Sequence, residues 1–305
     1  MTIDTHDNPP LAAGEHVAEV NGFHLHYTVR GSGSGPVLLF PSPGWGPSVR
    51  TYIPMPGLED HATVVYFDTR HSGESTGPED PTQYTLKHFV DDIEALRIHL
   101  GQDRVLLAGH SAGGHQALAY GIEHSDHLLG IIAIDANVVH DGVRMGEMIK
   151  RIEERRTRPF YVEHPGYIDN AMALMSGQGA GPRPSIREVI AATGAFYFHD
   201  PELADSVFGA MEFDDAVLGY SEASGFQGDD LLPLLDRITA PTLLVYGEDD
   251  FQCDPVSQGQ RAHDALPGSE FEVIADAGHM PWVEQPEEFA AVCGGWLHRV
   301  LSATR

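Results

Sequence analysis

The amino-acid sequence predicts an α/β fold, with a mostly parallel sheet, helices on both faces and a helical cap inserted after the sixth strand. Two observations lead to this prediction. Short apolar segments alternate with segments whose apolar residues recur at helical spacing, which is typical of a parallel sheet covered by helices. The alternation stops between residues 138 and 235 and then resumes. A chain of 305 residues is long enough for one such domain with an insertion, or for two domains.

Eight segments are predicted as strands because they are short and either alternating or fully apolar. They are Glu15–Val20, Phe23–Arg30, Val37–Phe40, Thr63–Phe67, Val105–Ala108, Leu129–Ile134, Pro241–Tyr246 and Glu270–Ile274. The first two flank Asn21-Gly22, which is typical of a tight hairpin turn. Asp68 and Arg70 follow the fourth strand and are expected to form an ion pair. The core helices are predicted at Leu86–Leu100, His115–His124 and Glu287–Leu301.

The interruption predicts two parts of the chain, a core at residues 1–137 and 236–305 and a helical cap at residues 138–235. Four helical segments are predicted within the cap. They are Gly142–Arg156, Tyr167–Met175, Ser185–Phe198 and Glu202–Met211. Aromatic residues are frequent there, and we expect some of them to line an apolar pocket above the core. Gly177–Pro184 is a glycine- and proline-rich loop that could let part of this lid move.

The composition limits the partners that this chain is expected to have. Its formal net charge is −27, which argues against nucleic acid and anionic membranes as partners. No apolar run approaches the length of a membrane span, and the polar segment Met1–Gly14 does not resemble a signal peptide. With only two cysteines, the chain has no disulfide framework. We therefore expect a cytoplasmic protein whose partner is a small-molecule substrate, with its oligomeric state left open.

A candidate nucleophile lies in the segment Gly109-His110-Ser111-Ala112-Gly113, which fits the pattern G-x-S-x-G. The buried strand before it and the helix after it place Ser111 on a sharp strand-to-helix turn. The two glycines are needed because a Cβ atom at either position would collide with the neighbouring strand and helix. The turn exposes the Ser111 hydroxyl at the carboxyl edge of the sheet, next to backbone N–H groups of the helix.

A serine hydroxyl needs an adjacent base, and the base needs an acid that orients it. Asp250 and His279 each follow a buried strand, and those strand ends lie at the same sheet edge as Ser111. Asp250 would hold the His279 ring in one tautomer, and His279 would take the proton of Ser111. Asp249, Asp254 and Asp135 are alternatives for the acid.

The segment Pro41-Ser42-Pro43-Gly44-Trp45-Gly46 follows the third strand and is expected to approach a ligand closely. Pro41 and Pro43 have no N–H group, so any oxyanion donor in this loop is Ser42 or a residue from Gly44 onward. We expect Gly44, Trp45 and His110 to contact the substrate.

Three motifs together resemble the α/β-hydrolase family over nearly the whole chain. Gly109–Gly113 resembles its nucleophile turn, Gly247–Asp250 its acid turn, and Gly278-His279 with Glu284–Phe289 its terminal histidine segment. The family places a helical cap where residues 138–235 interrupt the pattern. The resemblance implies two oxyanion donors, of which one is the backbone N–H of Ala112.

The likeness is to proline iminopeptidase-like members, which carry His-Gly-Gly-Pro-Gly where this chain has Phe40-Pro-Ser-Pro-Gly44. This resemblance puts Ser42 at the position of the second oxyanion donor. The turn Asp68–Gly73 also resembles their Asp-x-Arg-Gly-x-Gly. The chain departs from them in Phe40-Pro41, which replaces the His-Gly pair, and in having no tryptophan in the cap.

The sequence therefore predicts a serine hydrolase that cleaves an ester, lactone or amide of a small, largely apolar substrate through an acyl-enzyme on Ser111. Neither a cofactor nor a metal ion is expected, although His24 and His26 have a spacing that could bind a metal. Three alternatives remain open: a proline iminopeptidase-type aminopeptidase, a carbon–carbon bond hydrolase or cyclase, and a small-molecule receptor without catalysis.

Overall fold

The computed structural model describes most of the chain, and its residues form an eight-stranded sheet. The described residues are 9–31, 33, 35–176, 184–211, 219–220, 224 and 229–303. Most of the predicted Gly177–Pro184 loop, and Phe213 and Phe226 among the predicted cap aromatics, lie outside these ranges.

The strands and helices follow the predicted order closely. The strands are β1 (Gly14–Val20), β2 (Phe23–Gly31), β3 (Val37–Pro41), β4 (Thr63–Phe67), β5 (Val105–His110), β6 (Leu128–Ile134), β7 (Thr242–Gly247) and β8 (Glu270–Ile274). The helices of the core are α1 (Leu86–His99), α2 (Ala112–His124), α8 (Arg261–Ala265), α9 (Pro281–Glu284) and α10 (Pro286–Ala303). Between β6 and β7 lie α3 (Gly142–Glu154), α4 (Pro159–Glu163), α5 (Tyr167–Met175), α6 (Ile186–Thr193) and α7 (Ala204–Gly209).

The sheet has the order β1-β2-β4-β3-β5-β6-β7-β8. The six strands from β3 to β8 pair in parallel. At one edge of the sheet, β2 pairs antiparallel with β4, and β1 pairs antiparallel with β2. Asn21 and Gly22 join these two strands with φ angles of 47° and 85°, as a tight hairpin turn requires. The predicted fold class is confirmed.

The central strands are apolar along their whole length and are buried on both sides, because helices cover both faces of the sheet. On one face Leu39 and Leu107 lie in a core cluster with α1 and α2. On the other face Leu38 and Leu106 lie in a cluster with α10. Alternate side chains of each strand thus pack into the cores on opposite faces of the sheet, which fixes the register of the strands.

The secondary-structure elements described between β6 and β7 are all helices or 3₁₀ turns, and the segment has a small core of its own. Ile152, Tyr161 and Phe196 belong to that core, and Phe251 joins it from the loop after β7. Helix α6 ends at Thr193 rather than continuing to Phe198 as predicted, and a 3₁₀ turn follows at Gly194–Tyr197. This turn brings the backbone of Tyr197 to the carboxyl edge of the sheet. The assignment of residues 138–235 to a separate cap stays a prediction.

The ion pair predicted between Asp68 and Arg70 is not formed. Arg70 instead pairs with buried Asp92 of α1, with a distance of 2.8 Å from Nη2 to Oδ1. Asp68 accepts hydrogen bonds from the Val49 N–H and the Ser48 hydroxyl. Each residue thus joins its turn to a different neighbour. No helix within the described ranges is long and apolar enough to cross a bilayer.

Candidate active site

Ser111 lies between β5 and α2 in a backbone conformation that non-glycine residues rarely adopt, with φ of 55° and ψ of −119°. Its N–H donates to the Ile134 carbonyl of β6 at 2.9 Å, and its carbonyl accepts from the His115 N–H at 3.0 Å. These two bonds hold the turn between its neighbouring strand and the first turn of α2. Ser111 is buried, yet it lines a cavity.

Gly109 and Gly113, the glycines on either side of Ser111, lie close to other main-chain atoms, as the sequence predicts. A Cβ atom on Gly109 would lie 2.2 Å from the Gly113 carbonyl oxygen, which is a severe clash with main chain. A Cβ atom on Gly113 would lie 3.3 Å from the Pro41 carbonyl oxygen. The nucleophile turn therefore packs against itself and against the end of β3.

Asp250 and His279 follow β7 and β8, and they meet at the carboxyl edge of the sheet. The His279 Nδ1–H donates to Asp250 Oδ2 at 2.7 Å. Asp250 Oδ1 accepts from the N–H groups of Gln252 at 2.8 Å and Cys253 at 3.1 Å. With its proton on Nδ1, a neutral His279 carries a lone pair on Nε2, which is the form that a general base needs.

The electrostatics of this pair favour an ionised acid. Burial raises the pKa of the Asp250 carboxyl, but the His279 ring and the N–H groups of Cys253 and Gln252 outweigh it. The pKa of Asp250 therefore lies below its ordinary value. Ser111 and His279 line the same cavity, although no described hydrogen bond joins them. Such bonds are often long in proteins without substrate.

The structure gives the neighbouring aspartates other partners. Asp249 forms ion pairs with Arg158 and with His199, both from the segment between β6 and β7. Asp254 accepts from the N–H groups of Val256 and Ser257 at the start of a helical turn. Neither carboxylate is hydrogen-bonded to His279 in the described part of the chain.

His279 is held by its backbone as well as by its ring. Its N–H donates to the Tyr197 carbonyl at 2.7 Å. Its carbonyl accepts from the Nε2–H of His110 at 2.7 Å, and the hydroxyl of Tyr52 donates to His110 Nδ1 at 3.1 Å. Burial and the adjacent His279 ring lower the pKa of His110 well below its ordinary value, so His110 is neutral.

Of the two predicted oxyanion donors, Ala112 has the expected position, since it is the first residue of α2 and its N–H has no acceptor within the helix. Ser42 does not. Its N–H donates to the Phe67 carbonyl at 2.9 Å, which extends the pairing of β3 with β4 by one residue. The Ser42 hydroxyl is bonded to Thr69. The prediction for Ser42 is corrected because sheet pairing uses its donor.

The cavity beside Ser111 and His279 has a volume of about 400 Å³. Its described lining is mostly apolar and includes no Asp, Glu, Lys or Arg. The apolar lining residues are Pro43, Trp45, Pro47, Pro184, Ile186, Val189, Ile190, Phe208, Met211 and Met280. Polar groups come from Thr51, Tyr52, His110, Tyr197 and Gln252. Such a site suits a small ligand with few polar groups.

Trp45 and His110, two of the predicted substrate contacts, line this cavity. Gly44 is not among the described lining residues, and its φ of 85° instead provides the turn between Pro43 and Trp45. Gln116 of α2 holds this loop by donating to the carbonyl oxygens of Ser42 and Pro43.

Within the described residues, Asp250, Cys253 and His279 form the group with donor atoms close enough for a metal ion, within 4.8 Å of one another. Asp250 and His279 are bonded to each other, and the Cys253 thiol donates to Asn137 Oδ1 at 2.7 Å. Burial raises the pKa of Cys253 well above its ordinary value, which disfavours the thiolate that binds metals. His24 is exposed and belongs to no such group.

Sequence reasoning missed how two residues, Tyr197 and Arg155, support the site. Tyr197 supplies the carbonyl for His279, and its hydroxyl donates to Gln252 at 2.7 Å. Buried Arg155 donates to the carbonyl oxygens of Phe196 and Asp249, which ties the turn after α6 to the acid turn. The aromatic content had suggested pocket residues here, but no sequence signal marks a backbone carbonyl as a partner.

Comparisons with known proteins agree with the fold of this chain. A model described as the alpha/beta hydrolase family matches residues 26–292. A proline iminopeptidase of Saccharolobus solfataricus is 26% identical over 298 residues, which cover 93% of this chain and 91% of that protein. The crystal structure of a proline iminopeptidase from Mycobacterium smegmatis superimposes with a TM-score of 0.71 at 20% identity, covering 96% of this chain and 100% of the other. The structure of a thermophilic esterase from Thermogutta terrifontis gives 0.65 at 25% identity, covering 94% and 99%.

Proposed function

Because the chain belongs to the alpha/beta hydrolase family, we propose that it is a serine hydrolase that cleaves an ester or lactone of a small, largely apolar substrate. The observation that carries the proposal is the hydrogen bond between His279 and Asp250 at the wall of a cavity that Ser111 also lines. In this proposal a strained serine, a base and an ionised acid lie on three loops at one edge of the sheet, which follow β5, β8 and β7.

In the proposed reaction, His279 Nε2 takes the proton of Ser111 as its Oγ attacks the substrate carbonyl carbon. The Asp250 carboxylate stabilises the imidazolium that forms. When the tetrahedral intermediate collapses, the bond from carbon to the leaving oxygen breaks, and His279 returns the proton to that oxygen. Water activated by His279 then attacks the acyl-enzyme and releases the acid and Ser111.

The developing oxyanion would be bound by the N–H of Ala112 at the start of α2. Pro41 and Pro43 have no N–H, and that of Ser42 is used in the sheet, so any second donor from this loop would come from a residue after Pro43. Loss of one such donor typically lowers kcat by about 10²–10³-fold. The Tyr52–His110–His279 chain of hydrogen bonds would keep the base at a fixed distance from Ser111.

The apolar lining of the cavity supports an uncharged substrate. A charged group that entered would lose its hydration without a counter-charge among the described lining residues, which is costly. Polar atoms of the substrate would instead meet Gln252 and Tyr197, which line the cavity together with His279.

A second candidate is an aminopeptidase, which the similarity to proline iminopeptidases favours. Such an enzyme has to bind the ammonium of a peptide, and a carboxylate is the usual partner. The described lining offers no carboxylate for this purpose. For this reason we place the ester or lactone hydrolase first.

The test compares wild type with Ser111→Ala and His279→Ala on p-nitrophenyl butyrate and on proline p-nitroanilide. We expect wild type to hydrolyse the ester and to prefer it over the anilide, and both variants to lose ester turnover by about 10⁴-fold or more. A fluorophosphonate probe should label wild type at Ser111 but not Ser111→Ala. The exposed variant Ser176→Ala is the matched control and should behave as wild type.

Each other outcome has a defined meaning. Faster turnover of proline p-nitroanilide would favour the aminopeptidase. Labelling of Ser111 without turnover of either substrate would favour the receptor, or an enzyme of biosynthesis. Ester hydrolysis that survives in Ser111→Ala would show that the proposed nucleophile is wrong.

A further inference from the structure

Asp135 at the end of β6 has a buried carboxyl group that has no role in the proposed reaction. Its backbone has φ of 42°, and its N–H donates to the Val245 carbonyl of β7 at 2.8 Å. Oδ1 of its side chain accepts from the Gly247 N–H at 2.8 Å. Oδ2 is fully buried and has no hydrogen-bond donor in the described part of the chain. An ionised carboxylate with such an oxygen would be costly, because a buried charge needs partners.

A neighbouring carboxyl group explains the arrangement. The side chain of Asp135 lies beside that of Asp250, because the two residues follow the paired strands β6 and β7, and both groups are fully buried. Two adjacent buried carboxylates do not both ionise, so one of them keeps a proton. Asp250 accepts from His279 and from two backbone N–H groups, all of which favour its charged form.

Asp135 lacks comparable support, since a single backbone N–H is its donor among the described residues. Burial, and then the Asp250 charge, raise the pKa of Asp135 well above its ordinary value. The shared proton therefore belongs to Asp135. If Oδ2 carries the proton, this oxygen is no longer without a hydrogen-bond partner, because its O–H group then donates to Asp250.

We propose that Asp135 is a positioning residue which stays protonated and donates its Oδ2 hydrogen to the Asp250 carboxylate. This inference rests on the proposed function, in which Asp250 orients His279. Asp135 acts on the reaction only through Asp250, by adding a donor that fixes the plane of the carboxylate. Its Oδ1 at the same time holds Gly247 at the end of β7, so one side chain sets both the strand end and the acid.

The test uses asparagine as a permanent copy of a protonated carboxyl group. In Asp135→Asn, the amide oxygen can accept from Gly247 and the amide N–H can donate to Asp250, so we expect kcat and KM for p-nitrophenyl butyrate within about twofold of wild type. Asp135→Gly removes both the donor to Asp250 and the acceptor for the Gly247 N–H, without strain at this φ. We expect its kcat to fall about 10–100-fold while KM changes little, as for loss of a hydrogen bond to a charged group.

A second readout does not depend on turnover. Infrared difference spectra of wild type against Asp135→Asn, at neutral pH, should contain the C=O stretch of a protonated carboxyl that the variant loses. The same band should be present in Ser111→Ala. If Asp135→Asn loses as much activity as Asp135→Gly, or if Asp135→Gly keeps wild-type kcat, the positioning role is wrong. If the band is absent, Asp135 is ionised and the proposal fails.

Failure of the proposed function would look different. In that case Ser111→Ala would keep its ester turnover, or no ester would be hydrolysed at all. The infrared band would still report the proton on Asp135.

Discussion

The two halves of the proposed reaction centre differ in what holds them. Ser111 is held by the sheet and α2, through its bonds to Ile134 and His115 and the packing of Gly109 against Gly113. His279 is held partly by the segment between β6 and β7, because its N–H donates to Tyr197. The core therefore determines the position of Ser111, the proposed nucleophile. The position of His279, the proposed base, also depends on how that segment packs against the core.

The turn that carries Asp250 is also held by the segment between β6 and β7. Asp249, next to Asp250, pairs with Arg158 and His199, and its carbonyl accepts from Arg155. A segment that lines the cavity beside Ser111 thereby also fixes the proposed acid and the proposed base. Substitutions in the core and in this segment should consequently affect activity in different ways.

The largest expected effect is on the nucleophile side, in Gly109→Ala. The added Cβ would lie 2.2 Å from a main-chain oxygen that cannot move without opening the turn. We expect ester turnover to fall by about 10³-fold or more, and the free energy of unfolding to fall by about 1–3 kcal/mol. Steady-state kinetics and urea unfolding measure the two quantities.

The matched control is Gly146→Ala on α3, where a Cβ would meet no atom within 4 Å. It should keep wild-type activity and gain about 0.5–1 kcal/mol of stability, because alanine favours a helix. Wild-type turnover in Gly109→Ala would contradict the tight packing of the nucleophile turn.

A smaller effect is expected on the base side, in Arg155→Met. The variant loses the donor that joins the Phe196 carbonyl to the Asp249 carbonyl, while methionine keeps much of the side-chain volume. We expect kcat to fall about tenfold, since a small displacement of the base is enough for this. Kinetics on p-nitrophenyl butyrate measure the effect.

Arg156→Met is the matched control, because Arg156 is the exposed neighbour and makes surface ion pairs with Glu153 and Asp169. Such pairs contribute little, so its kcat should equal that of wild type. Equal kcat values in the two arginine variants would remove the claimed difference between the two sides.

The smallest expected effect is on the pH dependence of stability, and it concerns His110, which precedes Ser111 and is bonded to the His279 carbonyl. Its pKa in the folded state lies well below its ordinary value, so below about pH 6.5 the unfolded state binds the extra proton. Stability is therefore present at neutral pH and is lost as the pH falls. In His110→Gln, whose amide can still donate to the His279 carbonyl, we expect the loss between pH 7 and 5.5 to shrink by about 1 kcal/mol.

Urea unfolding at both pH values measures this change. In His115→Asn the loss of stability between pH 7 and 5.5 should shrink in the same way, because burial lowers the pKa of His115 as well. The variant Ser176→Ala should keep the wild-type loss. An unchanged loss in His110→Gln would mean that His110 takes up no fewer protons in the folded state than in the unfolded state.

The difference between the two sides also explains what the sequence could predict. The apolar runs of β3, β5 and β7 and the glycines around Ser111 are local signals, and they predicted the sheet and the nucleophile turn. Asp250 and His279 could be named because strand ends of a parallel sheet share one edge. The helical segment between β6 and β7 was predicted from the loss of alternation, but not the end of α6 at Thr193.

The missed features depend on partners that are far away in the chain. Arg70 pairs with Asp92 instead of nearby Asp68, because packing brings α1 to its turn. Whether the Ser42 N–H faces a ligand or Phe67 depends on where β3 stops pairing, and neither composition nor resemblance contains that information. The carbonyl of Tyr197 could not be found, because every residue has a carbonyl.

The two roles of Tyr197 set a rule for changing the specificity of this protein by laboratory evolution. Its ring borders the cavity, and its main chain carries the hydrogen bond to His279. Point substitutions at Tyr197 can reshape the cavity and still keep the main-chain bond. Insertions or deletions in Gly194–Tyr197 would displace the base, so libraries that vary length belong elsewhere. The wall formed by Val189 and Met211 is the better place to begin, since the described hydrogen bonds of His279 do not pass through it.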